Sequence, residues 1–94
     1  MILLKFRHKN LEALYNEDKS KGLPSVAVSK LKRVLAALEF ADDISSIATM
    51  PGWRLHSLTG DRKGEYSITI TANWRLTFRV DGNLVTEIDF QDYH

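Results

Sequence analysis

An imidazole at His56, a guanidinium at Arg75 and the closing triplet Asp92, Tyr93 and His94 are the groups in this chain best suited to acid–base work on an anion. An imidazole exchanges protons near neutral pH, a carboxylate serves as a base or orients a histidine, and a phenol donates or accepts a hydrogen bond. A guanidinium presents a rigid fork of donors that matches the oxygens of a carboxylate or phosphate. Further cations, Arg54, Arg62, Lys63 and Arg79, recur through the same half of the chain. Cysteine is absent, which leaves out thiolate nucleophiles, disulfides and cysteine-held zinc. His56, His94 and Asp89 or Asp92 are metal-ligand types, but no local spacing such as His-x-x-x-His supports such a site. No metal or cofactor is expected.

Two bland readings stand beside the chemical one. An antiparallel sheet with one wet face exposes Thr and Arg as a matter of course, and final residues are commonly solvated. Whether the closing triplet lies beside His56 depends on elements that the hydrophobic pattern must supply.

Alternation in Ile2, Leu4 and Phe6 reads as a short strand; Asn10 follows as a helix N-cap, ahead of an apolar stripe at Leu11, Leu14 and Tyr15. Gly22 and Pro24 punctuate the chain, and Val28, Leu31, Leu35 and Leu38 recur at helical spacing with Lys30, Lys32, Arg33 and Glu39 on the remaining faces. Ala41 to Gly52 reads as a connecting loop with room for one helical turn. The period then switches to two. Trp53, Leu55 and Ser57 oppose Arg54, His56 and Leu58; Tyr66, Ile68 and Ile70 oppose Ser67, Thr69 and Thr71; Trp74, Leu76, Phe78 and Val80 oppose Arg75, Thr77 and Arg79. Ala72 and Asn73 make a tight connection, and Asp81, Gly82 and Asn83 are hairpin residues leading to a last strand near Leu84 to Phe90. The expected fold is α+β, in the order β-α-α-β-β-β-β: an antiparallel sheet with two helices packed on one face and a polar face left open.

With 94 residues, 44% hydrophobic and 27% charged, the expectation is one domain, 1-94, with a modest core. No apolar run reaches the roughly 20 residues of a membrane-spanning helix, and Met1 to Lys9 carries charges where a signal peptide is apolar, so a cytoplasmic location is expected. The net charge of +1 is no footprint of phosphate binding by itself. Local clusters carry that case: Lys5, Arg7, His8 and Lys9; Lys30, Lys32 and Arg33; Arg54, His56, Arg62 and Lys63; Arg75 and Arg79.

The stretch LHSLTGDRKGEYSITITANWRLTFRV, Leu55 to Val80, together with the closing Asp-Tyr-His, resembles HigB-type toxins, the plasmid maintenance killer proteins of the RelE superfamily. A Leu-His pair, a Gly-Asp-Arg loop, an aromatic-Ser-Ile strand, Asn-Trp-Arg and the final triplet form a specific combination. The opening strand, the His-Lys pair and the helix leading to Gly-Leu-Pro extend the likeness over nearly the whole chain, most weakly between Ala41 and Pro51. The resemblance implies a ribosome-dependent endoribonuclease that cleaves mRNA in the decoding site without a metal, through attack of the ribose 2′-OH on the adjacent phosphate. It carries the family's active-site motif onto His56, Arg75, Asp92, Tyr93 and His94. It also implies a HigA-like helix-turn-helix antitoxin as partner, with operator DNA met only through that antitoxin, and the small ribosomal subunit with its 16S rRNA as the place of action. Thr59 and Thr71 stand where family members often carry a lysine and an arginine; Arg62 and Lys63, with Arg54 or Arg79, are the substitutes expected to bind RNA. Those two replacements keep a non-catalytic RNA- or antitoxin-binding module of the same fold open as the alternative.

Overall fold

Strand β4, Trp74–Asp81, runs through the middle of the sheet with its apolar side chains on one face: Leu76 and Phe78 are fully buried, while Arg75 and Arg79 point the other way. It pairs antiparallel with β3, Glu65–Thr69, and with β5, Leu84–Asp92. Outside β3 lies the two-residue strand β2, His56–Ser57, and outside β5 lies β1, Ile2–Leu3. In this computed structural model, which describes residues 1–62 and 64–92, the sheet order is β1-β5-β4-β3-β2. The antiparallel core is as expected; β1 adds to it in parallel, which hydrophobic alternation cannot specify.

Two helices, α1 over Lys9–Glu17 and α2 over Ser25–Phe40, cover one face. Leu11 and Leu14 of α1, and Leu31, Val34, Leu35 and Leu38 of α2, are buried together with Ile68, Leu76, Phe78, Val85, Ile88 and Phe90 of the sheet. Fully burying each such side chain stabilises by roughly 1.5–3 kcal/mol before chain entropy is set against it. Pro24, at φ −59°, sits at the N-cap of α2, where a fixed φ and a missing N–H cost nothing. The α-amino group of Met1 donates to the carbonyls of Leu38, Glu39 and Ala41 at 3.0, 2.8 and 2.6 Å, satisfying carbonyls at the end of α2. The expected helical turn in the connecting loop is α3, Ser45–Ala48, with Ile47 buried.

Three local expectations change. Asn10 is not the N-cap of α1 but lies inside it; His8 caps instead, its Nδ1 accepting from the Leu11 N–H at 3.2 Å. The cause is tertiary: the Arg7 and His8 N–H groups both donate to the Ile88 carbonyl, so the chain stays extended beside β5 until His8 and turns immediately after it. The strand expected over 53–58 shrinks to His56–Ser57, because Arg54 takes a left-handed φ of 52°. The opening strand likewise shortens to Ile2–Leu3, with Phe6 touching the sheet again only at a single parallel bridge to Ile88.

One irregularity sets the phase of β5. Thr77 pairs with Asp89 but Arg79 pairs with Thr86, so β5 carries one extra residue, at Glu87 with φ 52°. Val85 and Ile88, three apart, therefore both face the helices, and Phe90 follows them. Arg7 lies against the bulge, with its Nε 3.2 Å from a Glu87 carboxylate oxygen.

The N-cap generates one prediction: His8→Ala should lower stability by about 1 kcal/mol, seen as a melting temperature about 4–8 °C lower, whereas His8→Asn should recover most of the loss. A second concerns the helix pair, where the Tyr15 hydroxyl donates to the Glu39 carboxylate. That bond, then burial, pushes the phenol from 10.0 up to about 12. A folded pKa above the unfolded one means that the stabilisation is complete below pH 10 and lost as pH rises toward 12. The difference in melting temperature between wild type and Tyr15→Phe should shrink across that window.

Candidate active site

On the face opposite the helices, four neighbouring strands build a polar row. His56 of β2 pairs with Ser67 of β3, Ser67 with Thr77 of β4, and Thr77 with Asp89 of β5; the next row is Thr69, Arg75 and Gln91. A cleft of about 380 Å³ opens over these rows. His56, Arg75 and Asp92 all line it, with Ser67 and Thr77 in its floor and Leu58, Arg62 and Gln91 around them. Three residues from three different strands, picked out by type in the sequence, thus share one cavity.

Each is held differently. Arg75 Nη1 donates to Thr69 Oγ1 at 3.0 Å, a cross-strand contact that keeps the guanidinium on the sheet. His56 is exposed, and its Nδ1 lies 3.2 Å from the Arg54 carbonyl oxygen. A carbonyl only accepts, so this contact holds the ring proton on Nδ1 and leaves Nε2 as the proton acceptor of the neutral ring. The strained φ at Arg54 aims that carbonyl, which gives the irregular backbone before β2 a role in orienting the imidazole.

Arg62 reaches the cleft from a short 3-10 turn, Gly60–Arg62. Its guanidinium is shared between Glu65 Oε1 at 3.2 Å and Gln91 Oε1 at 3.4 Å. Gln91 is oriented in turn, since its Nε2 donates to Asp89 Oδ2 at 3.1 Å, and Asp89 Oδ1 accepts the Phe90 N–H at 2.9 Å. The chain Asp89–Gln91–Arg62–Glu65 holds a cation at the edge of the cleft, through an ion pair to Glu65 and a longer bond to Gln91.

Of the remaining expected site residues, Arg79 lies on the same sheet face, opposite Glu65, with its guanidinium packed over Gly64. A Cβ at position 64 would come within 3.3 Å of Arg79 and would need the positive φ of 93° that glycine adopts freely. Neither Arg79 nor Arg54 lines the cleft. Lys63, Tyr93 and His94 lie outside the described residues. Among the described residues no group of three His, Cys, Asp or Glu converges as a metal site, and no helix is long and apolar enough to cross a membrane. Ser67 and Gln91 line the cleft beside the residues that the sequence motif points to. Ser67 was legible from the alternation of β3, but the phase of Gln91 was hidden by the bulge at Glu87.

A mixed sheet of this order with two helices on one face is the fold of the small RelE-like toxins. The chain matches the toxin in the E. coli DinJ-YafQ toxin-antitoxin complex with a TM-score of 0.61 at 17% identity, over 97% of this chain and 90% of the other. Sequence narrows the class further. Residues 4–94 match the family model for the RelE-like toxin of type II toxin-antitoxin system HigB. The chain is 33% identical over 93 residues to Endoribonuclease HigB of Proteus vulgaris, covering 99% of this chain and 100% of that protein. It is 40% identical over 83 residues to Toxin HigB-1 of Vibrio cholerae, covering 86% and 87%. This chain belongs to the HigB-like toxin family.

Proposed function

We propose that this toxin is an endoribonuclease that cuts mRNA in the A site of the small ribosomal subunit, through attack of a ribose 2′-OH on its own 3′-phosphate. The observation that carries the reading is the cleft that His56, Arg75 and Asp92 share; the name of the Proteus vulgaris relative supports the reaction type. In this scheme the 2′-O–P bond forms while the P–O5′ bond breaks, leaving a 2′,3′-cyclic phosphate and a 5′-hydroxyl. His56, Asp92 and His94 share removal of the 2′ proton, delivery of a proton to the departing 5′ oxygen, and orientation of the substrate. Arg75 meets the charge that develops on the phosphate oxygens, and Tyr93 stacks on a base or positions the phosphate. The nucleophile comes from the substrate, so RNA is cut and DNA is not, and no metal is required to generate it.

Arg54, Arg62, Lys63 and Arg79 hold the RNA backbone on this reading, with Arg62 and Lys63 standing in for the absent cations at Thr59 and Thr71. The basic clusters at Lys5 to Lys9 and Lys30 to Arg33 grip 16S rRNA by the same phosphate electrostatics. The partner is a HigA-like helix-turn-helix antitoxin, through which alone operator DNA is met; a structural neighbour was solved in a toxin-antitoxin complex. Acting on translating ribosomes, the protein works in the cytoplasm.

Growth arrest on expression of wild type, with message ends mapped to translated codons and carrying a 2′,3′-cyclic phosphate, is the expected outcome. Arg75→Ala should lower cleavage by about 100-fold or more. Message that stays intact on ribosomes to which the protein still binds would mark a binding module instead. For RNA affinity, Arg62→Ala and Arg79→Ala should each weaken binding and flatten the log–log salt dependence by about 0.7, one phosphate contact on a single strand.

A further inference from the structure

Among the described residues, two hydroxyls in the floor of the cleft find no hydrogen-bond partner. Ser67 and Thr77 face one another across β3 and β4. They are only 1% and 3% exposed, and Ser67 Oγ and Thr77 Oγ1 are buried without a partner. Buried polar groups are nearly always satisfied, because one left unmet has given up its water for nothing. Here two neighbours in register carry that penalty, both within the lining of the cleft that holds His56 and Arg75.

Their surroundings select what they would bind. Ser67 pairs with His56 on one side, and Arg75 precedes Thr77 by two residues on the same face of β4. Hydroxyl donors beside a guanidinium suit acceptor-rich, anionic groups. A nucleobase finds less there: Trp74 is stacked on Phe90, and Tyr66 on Phe78, all packed into the helix-side core.

We propose that Ser67 and Thr77 are substrate-contacting residues whose hydroxyls donate to phosphate and ribose oxygens of the RNA backbone beside Arg75. The inference rests on the reading of the cleft as an RNA-cleaving site and adds to it a receptor that is unsatisfied until RNA arrives. Both oxygens lie just beneath the cleft surface, so the contact requires bordering side chains to give way to a seated strand. Arg62 borders the cleft, paired with the Glu65 carboxylate at 3.2 Å and with the Gln91 amide oxygen at 3.4 Å.

Ser67→Ala and Thr77→Val delete the oxygens with little change of shape. Each variant and the double would be compared with wild type and Arg75→Ala by thermal melting of the free protein and by cleavage of message on translating ribosomes. Melting temperatures should hold or rise, by up to about 4 °C per substitution, while cleavage falls about tenfold for each hydroxyl removed. Opposite signs are the signature, because a structural hydroxyl would lower both. Cleavage by the double variant within twofold of wild type overturns the inference, and so does lost cleavage accompanied by a lower melting temperature, which would mark hydroxyls serving a resident water. In either case an active wild type beside an inactive Arg75→Ala leaves the reading of the cleft standing; a wild type that cuts nothing removes both.

Discussion

Burial of Leu76 and Phe78 against the helix layer is the constraint on which this molecule turns. Side chains on a strand alternate between faces, so sealing these two under α1 and α2 leaves Arg75, Thr77 and Arg79 no choice but the open side. A slip of one residue in β4 would bury the guanidiniums and expose the core, at a cost of many kcal/mol. The register that makes the fold stable is thus the register that makes the cleft cationic, and hydrophobic packing does the positioning that a polar site cannot do for itself.

The bulge at Glu87 extends the same logic to β5. With the extra residue, Val85, Ile88 and Phe90 all reach the core while Asp89 and Gln91 reach the cleft face, level with Thr77 and Arg75. The segment before α1 is fitted to this irregularity: Lys5 accepts from the Ile88 N–H, and the Arg7 and His8 N–H groups both donate to the Ile88 carbonyl. The N-terminal strand thereby braces the element that carries Gln91 and Asp92. Stability at one edge of the sheet and the geometry of the candidate site at its centre are tied through a single backbone position.

The cleft departs from the consistency of the rest of the molecule. Arg54 is held in a left-handed conformation beside the imidazole, Arg62 is divided between the Glu65 carboxylate and the Gln91 amide oxygen, and among the described residues two hydroxyls in the cleft floor go unmet. Local strain and unsatisfied polar groups gather where a structure is shaped for something other than its own stability. Arg62 and both hydroxyls line the cavity that His56, Arg75 and Asp92 share, and Arg54 precedes His56 by two residues.

Composition and periodicity alone settled much of this. The change from helical to alternating spacing after Gly52, the hairpin residues at Gly82 and Asn83, and the in-out phase of β3 and β4 are local properties, so two helices on one face of an antiparallel sheet could be read directly. The family motif likewise named His56, Arg75 and Asp92 by their residue types. Only the tertiary structure decided the parallel seat of β1, the cap at His8 in place of Asn10, the kink at Arg54 that shortens β2, and the bulge that turns Gln91 into the cleft. Each of these arises from a hydrogen bond or packing contact between segments far apart in the chain, and no window of neighbouring residues contains both partners.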